Sequence, residues 1–186
     1  MGLLPATDAS PAEWFVVADG PWYVTATYGP PGLEMYARVS LEREDEGLVY
    51  PSYDPASDER ILTSVLHVLR AHTSTPKAVH VGVWEGWGYS KPNGVRFSIP
   101  SRAYALLTGP ITDVLDPVSL GLPAGESATP HLIWPDDRAW FVCWDTDEEW
   151  NFTIGGSEQA ITQVVGAGEV VAEIVPYGTP EAGWTW

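Results

Sequence analysis

Basic residues are scarce in this chain. Nine Lys and Arg face 25 Asp and Glu, so the formal net charge is −16. Phosphate binding requires clustered Lys and Arg, and the balance therefore argues against nucleic acid or an anionic membrane surface as partner. Cysteine is nearly missing as well. Cys143 stands alone, which excludes an intrachain disulfide framework and a Cys-rich zinc site. No apolar run approaches the roughly 18 residues that a membrane-spanning helix needs. The opening Met1-Gly2-Leu3-Leu4-Pro5-Ala6 lacks the basic region and long apolar core of a secretory signal. Ala6 also stands where a myristoylation signal wants Ser or Thr. These absences lead to the expectation of a cytoplasmic protein, while a secreted sugar binder that has shed its signal has the same composition and stays open.

What is present is globular. Of the 186 residues 45 % are hydrophobic and 18 % charged, a balance that supports a real core in one domain. Residues 1–12, with Pro5 and Pro11 among small and polar neighbours, read as a loose N-terminal arm. Two alternating stretches then read as strands. Trp22, Val24, Ala26 and Tyr28 share one face of the first, and Met35, Ala37, Val39 and Leu41 one face of the second. Gly29-Pro30-Pro31-Gly32 between them predicts a hairpin.

Farther along, Ile61, Leu62, Val65, Leu66 and Leu69 make the apolar stripe of a helix that starts near Asp58 with Ser57 as its cap. Residues 78–84, 95–99 and 102–108 read as strands, and 109–130 as loop with at most a helical turn near 111–115. Residues 139–145 are apolar on both faces, as a doubly covered central strand would be. Trp150, Phe152 and Ile154 form the next strand. Ser157 caps a second helix, in which Ala160, Ile161, Val164 and Val165 form the stripe and which Gly166 stops. Residues 169–175 fit strand and helix equally. The expectation is an α+β fold: a single domain over 13–186, with a largely antiparallel twisted sheet and two helices packed on one face.

Three stretches resemble an uncharacterised family of acidic, Trp-rich bacterial proteins of similar length. They are Gly32-Leu33-Glu34-Met35-Tyr36-Ala37-Arg38-Val39, Val83-Trp84-Glu85-Gly86-Trp87-Gly88, and Trp134-Pro135-Asp136-Asp137-Arg138-Ala139-Trp140 running on to Gly155-Gly156-Ser157. The resemblance implies a single domain of cytoplasmic origin. It carries no established activity and so implies no catalytic residues.

The residues themselves offer little catalysis. No G-x-S-x-G occurs, so a nucleophile elbow has no candidate. Cys143 lies in the most apolar stretch and reads as a buried, inert thiol. His67, His72, His80 and His131 form no i, i+4 pair for a metal, and His80 reads as a satisfied core or edge histidine. Neither Gly86-x-Gly88 nor Gly166-x-Gly168 completes a phosphate-binding loop. No catalytic residue, metal site or cofactor is expected, and the ionisable groups are expected to sit apart on the outside.

Two features remain. Acid is concentrated in loops, at Glu42 to Glu46, at Asp136-Asp137, and at Asp145, Asp147, Glu148 and Glu149. Clustered carboxylates suit calcium, but the last group lacks the spacing of a calcium loop and reads first as a solvated hairpin turn. Retained acid suits a basic protein partner steered by charge. The second feature is aromatic: Trp84, Trp87 and Tyr89 bracket a Gly-rich loop, and Trp184 and Trp186 end the sequence. Exposed loop aromatics serve protein or sugar recognition. The expected function is a non-enzymatic interaction module, immunity-like in its charge, that binds a basic protein through Trp84, Trp87, Tyr89, Asp145, Asp147, Glu148 and Glu149. The alternative is a carbohydrate-binding or glycoside-active protein with stacking aromatics and paired carboxylates.

Overall fold

A computed structural model describes residues 2–16, 21–42, 55–86, 94–100, 102–122, 129–148 and 150–179. Nine strands are found among them: Leu4–Pro5 (β1), Met35–Ser40 (β2), Val79–Trp84 (β3), Arg96–Ile99 (β4), Arg102–Gly109 (β5), Leu132–Pro135 (β6), Trp140–Cys143 (β7), Asn151–Gly156 (β8) and Ala172–Val175 (β9). They form one sheet in the order β1-β5-β3-β6-β7-β8-β2-β9, with β4 also on β5, and every pairing is antiparallel. The helices are Glu13–Val16 (α1), Trp22–Tyr28 (α2), Pro55–Leu69 (α3) and Glu158–Gly166 (α4). The result is the expected α+β domain. No helix among the described residues is long and apolar enough to cross a membrane.

Alternation in the strands sorts side chains onto two faces. Val79 and Val81 of β3, Ala37 and Val39 of β2, and Val142 of β7 pack under α3 and α4, whose Leu62, Val65, Leu69, Ile161 and Val164 are buried against them. These are the two helices read from the sequence, on one face as expected. Ser157 caps α4 in the predicted way, its Oγ accepting the Ala160 N–H at 3.2 Å. Ser157→Ala leaves that amide without its cap and is expected to destabilise the chain by about 1 kcal/mol in urea unfolding. α3 begins at Pro55, so Ser57 is not its cap. It lies inside the first turn, and its Oγ–H donates to Glu42 Oε2 at 2.7 Å.

The opposite face has its own cover. Phe15 of α1 and Ala26 of α2 close over Phe97, Tyr104, Leu106, Trp134 and Phe141. Trp134 stacks on Phe141 with centroids 5.4 Å apart, and Phe15 meets both rings edge-on at 5.1 Å. Aromatic pairs of these geometries add to the burial term. Two apolar surfaces thus sandwich the sheet, which explains why β7 reads as apolar on both sides: all four of its residues are buried.

That second layer overturns three sequence readings. Residues 22–28 are not a strand and make no hairpin with β2, which pairs with β8 and β9 instead. Their β-branched and aromatic alternation gives way to tertiary packing. Pro21 precedes the helix, and Gly29 ends it at φ 73°, where a Cβ would drive into the Phe141 ring. Thr25, Ala26 and Tyr28 are its buried residues, a helical rather than an alternating set. The N-terminal segment is no loose arm, since β1 pairs with Leu107 and Thr108, Leu3 is buried, and the Leu3 N–H donates to Ser119 Oγ at 3.2 Å. Residues 172–175 resolve as edge strand. The helical turn in 109–130 is a 3-10 turn at Ile111–Asp113.

Candidate functional site

Arg102 opens β5 directly after the β4–β5 turn, two residues before Tyr104, which pairs with Trp84 at the end of β3. Alternation puts Arg102, Tyr104 and Trp84 on the face that α2 covers, and Trp22 stands in the first turn of α2. Asp145 and Asp147 come from the β7–β8 connection. Four separated segments therefore converge on one guanidinium. Arg102 Nη2 donates to Asp145 Oδ1 at 3.3 Å and to Asp147 Oδ2. Its Cζ lies 5.8 Å from the Trp22 ring centroid and 5.7 Å from that of Trp84, both within cation–π range. Burial works against the Arg102 charge, and the two carboxylates more than offset it, so its pKa is raised.

The cluster grades from buried to exposed. The side chains of Arg102 and Asp145 are 12 % and 9 % accessible, whereas Asp147 is 69 % accessible and Trp22 is exposed. Behind it, the Trp84 N–H donates to His131 Nδ1 at 3.2 Å, and Tyr104 stacks on Phe97 at 5.3 Å. Burial, with repulsion from Arg102, pushes the His131 imidazole down to about 4, and burial keeps the Tyr104 phenol protonated. Gly86 keeps clear the space that the Trp84 indole fills, and Glu85 beyond it accepts from Arg96 Nε at 2.5 Å.

Of the residues read from the sequence, Trp84, Asp145 and Asp147 come together here. Glu148 is near in the chain, and its carbonyl accepts the Trp144 indole N–H at 3.1 Å. Trp87, Tyr89 and Glu149 lie outside the described residues, as do Trp184 and Trp186. Trp22 and Arg102 were missed. Arg102 had a signal: a cation is rare in this chain, and this one opens a strand. The expectation of a solvated acidic turn fails at Asp145, which is buried and ion-paired.

A second polar group lies on the same face, where Thr108, His80 and Trp134 share one register row of β5, β3 and β6 and Asp136 follows in the β6–β7 turn. His80 is 5 % exposed. Its Nδ1 is 3.0 Å from Thr108 Oγ1 and its Nε2 3.1 Å from Asp136 Oδ1, with the ring tilted on Trp134. Hydroxyl, imidazole and carboxylate follow in the order of a nucleophilic triad. In a triad, however, the acid is the buried member, and here Asp136 is 62 % accessible. Desolvation lowers the His80 pKa despite Asp136. The group works as a strut that satisfies His80 and ties the β6–β7 turn to the sheet. Next to Asp136, Asp137 accepts from Thr73 Oγ1, from the Ser74 amide and hydroxyl, and from the Ala139 amide. The ionisable groups are thus not all apart on the outside.

Cys143 is buried as expected: its pKa is raised by burial, and its thiol donates to the Ala26 carbonyl at 2.8 Å. No three His, Cys, Asp or Glu among the described residues are grouped to hold a metal ion. Two open depressions, of about 650 Å³ beside Glu158 and about 420 Å³ between α3 and Ile111, contain neither the Arg102 cluster nor His80. Comparison of the chain with family models, with curated proteins and with solved structures finds no match.

Proposed function

We infer that the chain is a non-enzymatic interaction module that docks a basic protein on the face built around Arg102. The observation behind this reading is the neutralised guanidinium. Two carboxylates oppose one internal cation, so the patch stays net negative, while Trp22 offers an exposed indole at its margin. Rigid aromatic and acidic groups side by side are what a partner's Arg or Lys docks on. The net charge of the whole chain, −16, adds long-range steering. An immunity-like role against a basic effector fits this chemistry, and the resemblance to an uncharacterised bacterial family is compatible with it. The glycoside reading is less well supported. A glycosidase leaves the gap between its two carboxyls open for the sugar and water, and here the Arg102 guanidinium fills the gap between Asp145 and Asp147.

Calorimetry with an eight-residue oligoarginine peptide tests the reading. Affinity is expected to fall at least ten-fold between 50 and 200 mM salt, as screening of a multiply charged contact requires. Asp147→Asn and Trp22→Ala are expected to lose three-fold or more, and Glu158→Gln, on the far side of the sheet, less than 1.5-fold. Equal losses in all three variants would mean diffuse attraction to an acidic surface and would remove the site. Salt-insensitive binding of an oligosaccharide, lost in Trp22→Ala, would favour the sugar reading instead.

A further inference from the structure

Among the described residues the sheet ends at β9, and no strand pairs with its outer edge. The Ser40 N–H donates to the Val171 carbonyl at 2.9 Å, and the two residues are opposite in the β2–β9 register. Hydrogen-bonded pairs recur at every second residue of an antiparallel ladder. Val171, Glu173 and Val175 therefore turn their backbone groups toward β2, and Ala172 and Ile174 turn theirs outward. Those outward amides and carbonyls have no hydrogen-bond partner among the described residues. Beside them Val171 is 75 % and Ile174 53 % exposed. A strand edge that pairs unpaired backbone groups with exposed apolar side chains is a template for another strand.

We propose that this edge accepts an extended segment of a basic partner protein, in the pattern apolar–basic–apolar, as an added antiparallel strand. Directly opposed residues share a face of the sheet. Apolar residues of the guest lie against Ala172 and Ile174, on the side where Ala172 packs into the core under α4. The basic residue lies against Glu173, whose side chain is 69 % accessible even though Arg38 Nη1 stands 3.8 Å away. A second copy of the chain is the poorer occupant. The antiparallel register that uses both outward residues of each copy sets Ala172 against Ile174 and Glu173 directly against Glu173. That central pair is the non-hydrogen-bonded kind, with side chains closest, where like charges repel. Each copy would also bring its charge of −16. The proposal borrows from the function above only the sign of the partner's charge, and it uses a different surface.

The test is amide exchange of the 15N-labelled full chain with a blocked peptide of alternating Lys and Val, against the same peptide with Glu for Lys. Exchange at Ala172 and Ile174 is expected to slow at least ten-fold with the Lys peptide and to stay unchanged with the Glu peptide. Glu173→Lys reverses that preference. Ile174→Pro, which removes an outward N–H and leaves the bonds to β2 in place, abolishes the protection. The proposal is overturned by unchanged exchange at these two amides, by equal protection from both peptides, or by a dimer of the free chain that protects them. Protection at β9 that survives Asp147→Asn and Trp22→Ala supports this edge even where the Arg102 face fails its own test.

Discussion

Replacing Arg102 by methionine is expected to destabilise the chain by about 3–5 kcal/mol, because it leaves a buried carboxylate without its counter-charge. Methionine keeps much of the apolar stem between the two indoles, so the loss reports charge more than volume. Asp145, at 9 % side-chain accessibility, has little water to turn to once the guanidinium is gone. Asp147 is mostly solvated, and its pairing contributes at most about 1 kcal/mol. Asp145→Asn should therefore cost more than Asp147→Asn. The double variant Arg102→Met with Asp145→Asn should lose less than the sum of the two single losses by at least 1 kcal/mol, the coupling expected of contacting partners. Urea unfolding followed by tryptophan fluorescence measures all four. A loss below about 1 kcal/mol for Arg102→Met would mean that the ion pair is effectively solvated, and the case for a preorganised docking face would go with it.

The cluster illustrates what was legible in the sequence and what was not. Periodicity identified β2, β3, β4, β7, β8, α3 and α4, because each buries one face, or for β7 both, against packed layers and so carries a clean pattern. It failed at residues 22–28, where seven residues rich in Trp, Tyr, Thr and Val have local strand preference and a tertiary reason to be helical. The helix exists because Ala26 sits flat on the sheet and Gly29 lets the Phe141 ring approach its end. Neither contact is encoded within the segment. With α2 misread, Trp22 faced the wrong way, and half of the aromatic surround of Arg102 was invisible. Trp84 and the Asp145–Glu148 stretch were singled out on composition alone. Their meeting depends on strand order, which brings β5, β3, β6 and β7 side by side from sequence positions far apart. The same holds for His80, whose partners Thr108 and Asp136 lie 28 and 56 residues away.

Mild acid should weaken this protein earlier than its carboxylates alone would dictate. The His131 imidazole is pushed from 6.5 down to about 4 by burial and by Arg102, so the folded chain holds it neutral where an unfolded chain would protonate it. The stability that comes with the neutral ring is complete above about pH 6.5. It falls as pH drops toward 4, because the unfolded state then binds a proton that the folded state refuses. Below about 4 both states are protonated and this contribution stops changing. A shift of this size corresponds to about 3 kcal/mol across the window. His80, also lowered by burial, acts in the same direction. Asp137, whose carboxyl is held below the usual range by the Ser74 and Thr73 bonds against the opposing effect of burial, contributes only at lower pH, as it protonates. Glu42, lowered by its bonds from Ser57 and Arg60, adds to the loss only near the acid end of the window, so loss between pH 6.5 and 4.5 belongs mainly to the two histidines. Urea midpoints measured across that interval should decline steadily in the natural chain and by roughly half as much or less in His131→Gln, whose amide oxygen can still accept the Trp84 N–H. An imidazole that titrates above pH 6 by NMR would show His131 open to water, and the wall behind Trp84 would then not be the dry, fixed support on which the Arg102 cluster depends.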